Sequence, residues 1–203
     1  MGTQMTKRQR QISYTLNFYV TSILMYMITQ NVVANIMVSY PDVADYAVKS
    51  LTTLPTLFGL IATFAMGAVA LKFDKTKLLV LVMCSMGIFS LIFFANGILH
   101  GPFEIYYVAV VFGGFAMGSF APLMNLIIGE NFSESERAGR IASYNVTNNL
   151  GAFFILFISG RIAATGGGEN WPYAYLLGFY CFITTAVFYV MIKKSGYRDD
   201  REA

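Results

Sequence analysis

Apolar residues in this chain gather into six blocks: Ile12–Val38, Ser50–Leu71, Leu78–Ile98, Ile105–Ile128, Ile141–Gly160 and Tyr173–Ile192. None of them contains Asp, Glu, Lys, Arg or His. Each reaches the roughly 20 residues that an α-helix needs to cross ~30 Å of hydrocarbon. The pattern predicts an all-α membrane protein with six transmembrane helices, occupying 12–192. It divides into a first triplet at 12–98 and a second at 105–192, with a cytoplasmic N-terminal segment 1–11 and a cytoplasmic tail 193–203. Three helices per triplet is an odd number, so the second triplet runs opposite to the first. Topology alone therefore predicts two inverted three-helix repeats, since no residue-level identity links them.

Charge then fixes the orientation. Of the 14 Lys and Arg residues, Lys7, Arg8, Arg10, Lys72, Lys75, Lys77, Arg137, Arg140, Lys193, Lys194, Arg198 and Arg201 fall on one side of the six blocks. Only Lys49 and Arg161 fall on the other. Cytoplasmic loops carry the excess of Lys and Arg, which places both termini in the cytoplasm. We expect an integral protein of a bacterial cytoplasmic (inner) membrane.

Composition agrees, with 56% hydrophobic and 12% charged residues, against about 25% charged in soluble domains. A water-facing surface cannot be built from it. The net charge of +3 sits in short loops and tails, where orientation and anionic headgroups account for it. The expected partner is the lipid bilayer, and no nucleic acid is expected. The first block is too long for a signal peptide and lacks a small-residue cleavage site, so it should remain as a helix. Cys84 and Cys181 lie inside spans and read as small packing residues. Asn131-Phe-Ser133 and Asn145-Val-Thr147 match the glycosylation pattern, but one is cytoplasmic and the other mostly in the membrane.

The spans hold no fixed charge, and that absence bounds the chemistry. Proton relays and metal sites in membranes use carboxylates, His or Cys clusters facing a cavity. The one His, His100, lies in an outer loop, and no P-loop, GxGxxG or zinc-ligand spacing occurs. The sequence predicts no catalytic residue, no metal, no cofactor and no enzyme.

Neutral polarity is plentiful instead. The first block carries Asn17, Thr21, Ser22, Tyr26, Thr29, Gln30, Asn31 and Asn35, and the fifth carries Ser143, Tyr144, Asn145, Thr147, Asn148 and Asn149. Ser22, Tyr26, Thr29 and Gln30 share one helix face, and Tyr144 and Asn148 another. An unsatisfied amide in hydrocarbon costs several kcal/mol. Such groups must face other helices or a watery cavity, and for any single residue both readings stand.

Small residues make a second pattern. Thr52, Thr56, Gly59, Thr63 and Gly67 follow a 4-3-4-4 spacing, and Gly114 and Gly118 form a GxxxG match beside Gly113. Both allow close helix contact without naming the partner helix. Pro122 predicts a kink in the fourth helix. Ser133-Glu-Ser-Glu136 has capping-box spacing, able to start the fifth helix or a short surface helix before it.

Gly67-Ala-Val-Ala-Leu-Lys72-Phe-Asp-Lys75-Thr-Lys77 ends the second helix and turns into the third. It resembles the Gly-x-x-x-Asp-Arg/Lys-x-Gly-Arg-Arg/Lys loop of the major facilitator superfamily, with Leu71 and Asp74 standing where that pattern has Asp and Gly. Gly113-Gly-Phe-Ala-Met-Gly118-Ser-Phe-Ala-Pro122, Glu136-Arg137-Ala-Gly-Arg140 and Asn148-Asn-Leu-Gly151 are similar to the fourth helix, inner loop and fifth helix of that family. The fourth helix lacks the Arg linked to proton coupling in antiporters, so a proton-driven drug exporter is not expected.

The resemblance covers the N-terminal six-helix half of a twelve-helix fold. It implies a half-size transporter that works as a parallel homodimer by alternating access and moves a small organic solute. A heterodimeric half, or a non-transporting partner subunit, stays open as the alternative. The resemblance further implies that the second and fifth helices make the contact between bundles, with Thr52, Thr56, Gly59, Thr63, Gly67 and Gly151 at a dimer interface. Lys72, Asp74, Lys75, Glu136, Arg137 and Arg140 would form an inner-gate loop. Thr21, Tyr26, Gln30, Asn125, Tyr144 and Asn148 would line the substrate cavity.

Overall fold

The computed structural model describes residues 6–195, so Arg198, Arg201 and most of the expected tail lie outside the described residues, as do residues 1–5. Among the described residues there are helices, short 3₁₀ turns and no strand. Six spans are long and apolar enough to cross a membrane. The first is a 33-residue element made of α1 (Lys7–Ile23), a 3₁₀ turn (Leu24–Met27) and α2 (Ile28–Ser39). The next four are α3 (Asp45–Val69), α4 (Lys75–Leu99), α5 (Ile105–Asn131) and α6 (Glu134–Ala163). The sixth combines a 3₁₀ segment (Trp171–Gly178) with α7 (Phe179–Ser195).

Two helices extend beyond their apolar blocks because capping chemistry carries them into water. Thr6 and Gln9 form a capping box that starts α1 at Lys7. Ser133 and Glu136 form another, with Glu136 Oε2 accepting from the Ser133 N–H at 3.1 Å and its hydroxyl at 2.8 Å. These bonds hold the Glu136 carboxyl below its ordinary range. The capping box starts the fifth transmembrane helix itself, and the expected junction at 129–140 shrinks to Phe132 and Ser133. Inside the first span, the Thr21 and Ser22 hydroxyls both bond the Phe18 carbonyl. Such back-bonding loosens the helical ladder, and the 3₁₀ turn starts two residues after Ser22.

Around the bundle, α3 packs on α5, α5 on α4, α4 on the sixth span, the sixth span on α1, and α1 with α2 on α6. The α3–α5 seam is the closest. A Cβ on Gly114 would lie 2.7 Å from the Pro55 carbonyl oxygen, and one on Gly118 would overlap the Gly59 carbonyl. The Thr63 hydroxyl donates to the Gly118 carbonyl at 2.9 Å. The two small-residue patterns therefore meet each other inside one bundle.

That contact engages part of the expected dimer interface within one bundle. Gly59 is buried on α5, and Thr63 is bonded to α5. Gly151 faces α1, where an added Cβ would touch Leu24 at 3.0 Å and Thr21 at 3.1 Å. Thr56, Thr63 and Gly67 are exposed, and Thr52 is half-buried.

Candidate functional site

Burial separates the six spans sharply. In their most apolar stretches α4 and α5 are 56% buried, whereas α3 is 22% and α6 only 6% buried. The least covered helices are thus the second and fifth spans. Much of their open surface is apolar: Leu57, Leu60, Ile61 and Phe64 on α3, and Val146, Leu150, Phe153 and Phe157 on α6. Lipid or another apolar surface suits these side chains. Five amides do not fit that description.

The amides fall into two sets. Asn17 donates to Ser143 at 3.4 Å, Asn31 to the Leu156 carbonyl at 2.5 Å and Ser159 at 3.0 Å, and Asn35 to the Gly168 carbonyl at 3.0 Å. All three tie the first span to the fifth span or the loop after it. In membranes such bonds contribute about 0.6 kcal/mol each. Gln30, Asn125, Asn145, Asn148 and Asn149 have no hydrogen-bond partner among the described residues; Asn148 is half-buried and the other four are exposed. Asn31→Leu is expected to lower stability by about 1 kcal/mol for its two bonds. Gln30→Leu should stay within about 0.5 kcal/mol. Thermal unfolding of the two variants in one detergent checks the contrast.

The expected cavity residues do not all come together. Tyr144 stacks on Phe120 with ring centres 6.0 Å apart and shares a narrow cleft with Ser13, Asn17 and Arg140. Asn148 follows one turn later on α6, flanked by Asn145 and Asn149. Asn125 is exposed on the C-terminal half of α5, and Gln30 on α2. Thr21 stands apart. Its hydroxyl bonds the Phe18 carbonyl at 2.7 Å and Tyr180 at 3.2 Å, placing it in the seam of α1 with α6 and α7. Asn145 and Asn149 also present exposed amides beside Asn148. They lie three residues before Asn148 and one after it, and a single turn of amides does not show which side is open.

At the end of the bundle that carries the N-terminus, the expected gate residues are engaged in contacts with other residues. Asp74 caps α4 by accepting from the Thr76 N–H at 2.8 Å and its hydroxyl at 2.6 Å. Lys75 forms an ion pair with Glu130 at 2.6 Å, with side chains 5% and 11% exposed. Glu136 serves its capping box. Arg137 donates to the Gly129 carbonyl at 2.6 Å and the Phe132 carbonyl at 3.0 Å, closing the C-terminal end of α5. Arg140 donates weakly to Ser13 at 3.5 Å and stands over the Phe132 ring at 5.6 Å, while its buried Nε has no partner among the described residues. Lys72 is exposed. Glu130 was missed because it lies just past the fourth apolar block and 55 positions from Lys75 in sequence (130 − 75). Among the described residues no three metal-ligating side chains gather.

Comparison with known proteins places this arrangement. The family model for the Major Facilitator Superfamily matches residues 12–203. No curated protein matches the sequence. The in meso crystal structure of the POT family transporter PepTSo superposes with a TM-score of 0.75 at 16% identity, over 94% of this chain and 40% of that one. At that identity the likeness shows the fold, and this chain spans less than half of the larger protein.

Proposed function

We propose that this chain, which belongs to the Major Facilitator Superfamily, is a transporter subunit whose amide-bearing face is covered by a second six-helix bundle. The second bundle is another copy of the chain inserted in the same orientation. The observation that carries this reading is the set of five unpartnered amides on a membrane-spanning bundle whose α6 is almost wholly uncovered. Amide groups facing acyl chains would each cost several kcal/mol. A facing bundle with water or solute between removes that cost. Halves of this fold are related by an axis along the membrane normal, so a second parallel copy can occupy the facing position. The contact is then isologous, with α3 of one copy against α6 of the other.

Between the copies, Gln30, Asn125, Tyr144, Asn145, Asn148 and Asn149 offer hydrogen bonds to a small organic solute. Arg140, with its spare Nε at the inner end, supplies a counter-charge to an acidic group. Rocking of the two bundles exposes the site to each side in turn. Proteoliposomes containing this chain alone, offered a panel of labelled polar organic solutes, are expected to take up at least one above empty vesicles. The double variant Gln30→Leu/Asn148→Leu should lose at least 10-fold of that uptake while still inserting and folding. Uptake that needs a second, different polypeptide would overturn the homodimer and leave a heterodimeric carrier. Uptake unaffected by the double variant would remove the site.

A further inference from the structure

A cleft of about 500 Å³ opens at the outer ends of α2 and α4 and the start of the sixth span. No residue of α3 or α6, the two helices that meet in the proposed dimer, lines it. Its walls include Ser39, His100, Glu169, Asn170, Trp171 and Tyr173. One wall is fixed by the Trp171 indole, which donates to Ser39 Oγ at 2.9 Å. The Asn170 amide donates to Thr165 at 3.0 Å, which leaves its oxygen available. The His100 imidazole and the Glu169 carboxylate have neither a hydrogen bond nor an ion pair among the described residues. Apolar residues complete the lining, with Val38 81% and Ile98 39% exposed.

The geometry points to a binding site for the zwitterionic headgroup of an outer-leaflet phospholipid, with its ammonium on Glu169 and its phosphate on the His100 N–H. Three properties of the cleft select that ligand. It holds an acceptor of negative charge and an N–H donor together, which complements a group carrying both signs. An anionic headgroup without an ammonium would set its phosphate against Glu169. The Trp171 and Tyr173 pair marks the depth of the membrane interface, and the half-exposed Tyr173 ring adds a face for the ammonium. Val38 and Ile98 then meet the first carbons of the acyl chains.

Binding of dihexanoyl-phosphatidylethanolamine to the purified full chain, followed by native mass spectrometry and by thermal unfolding, tests this. The wild-type chain should retain that lipid and gain stability from it, and dihexanoyl-phosphatidylglycerol should do neither at equal concentration. Glu169→Gln and His100→Ala should each weaken phosphatidylethanolamine binding about 10-fold. Both residues are exposed, so the variants are expected to fold. Equal retention of the two lipids, or binding unchanged in both variants, overturns the site. Free phosphoethanolamine binding as tightly as the lipid would make the ligand a soluble zwitterion and overturn the lipid assignment.

Discussion

Lys75→Met is expected to lower the thermal unfolding midpoint of the purified protein by about 6–20 °C, making it one of the two most damaging substitutions in the chain. The reason is the buried ion pair with Glu130, 2.6 Å long. Removing one partner of such a pair leaves an uncompensated charge and costs about 3–5 kcal/mol, and each kcal/mol moves the midpoint of a protein this size by about 2–4 °C. Helix dipoles sharpen the effect. Lys75 is the first residue of α4, and Glu130 is next to last in α5. Each charge therefore sits at the helix end whose partial charge has its own sign, and the ion pair offsets that repulsion. Glu130→Met should cost a similar amount. The double variant Lys75→Met/Glu130→Met should recover most of the loss, because two apolar side chains need no compensation. A double variant as unstable as the sum of the singles would contradict this account of the pair.

Gly118→Leu is expected to be the other. Overpacking costs about 1–3 kcal/mol when neighbouring side chains can shift. Here the obstacle to even a single Cβ is the Gly59 backbone, with its carbonyl in the way. Relief requires α3 and α5 to separate along the seam that includes the Pro55–Gly114 contact and the Thr63–Gly118 bond. We expect the upper end of that range or more, read as loss of a folded peak on size exclusion or a fall of at least 6 °C in the unfolding midpoint. Gly67→Leu is the control. Nothing lies within 4 Å of a Cβ built there, and it should unfold within about 2 °C of the parent.

The six spans were legible because hydrocarbon admits little besides apolar residues, so their boundaries follow the solvent. The helices were less legible where they leave the bilayer. Thr6–Gln11 and Glu134–Arg140 are polar, and only the capping pairs reveal that helix continues through them. Packing partners were least legible. The 4-3-4-4 stripe on α3 shows that some backbone approaches closely, yet the same spacing serves a contact within the chain or between chains. Gly59 and Thr63 prove to meet α5, while Thr56 and Gly67 stay free.

The same limit applies to the amides. Asn31 and Gln30 are neighbours in sequence and similar in chemistry. One bonds Leu156 and Ser159, and the other faces outward. Only the position of α6 separates them. For Tyr144 and Asn148 the one-turn spacing was enough to put both on one side of a helix. Thr21 carried the same promise and was drawn into the α7 seam by Tyr180.

The most direct measurement of the central claim is disulfide cross-linking between two singly labelled copies in native membranes, in a background with Cys84→Ala and Cys181→Ala. Thr56 lies 11 residues from the N-terminal end of α3 (56 − 45), and Phe153 lies 10 from the C-terminal end of α6 (163 − 153). At 1.5 Å per residue these depths are about 16 Å and about 15 Å, so the two positions face each other if α3 of one copy meets α6 of the next. Co-expressed Thr56→Cys and Phe153→Cys chains should form a covalent dimer under mild oxidation, and a Thr56→Cys chain paired with Val108→Cys should not. A chain that stays monomeric in nanodiscs, folded and without that cross-link, would contradict the account.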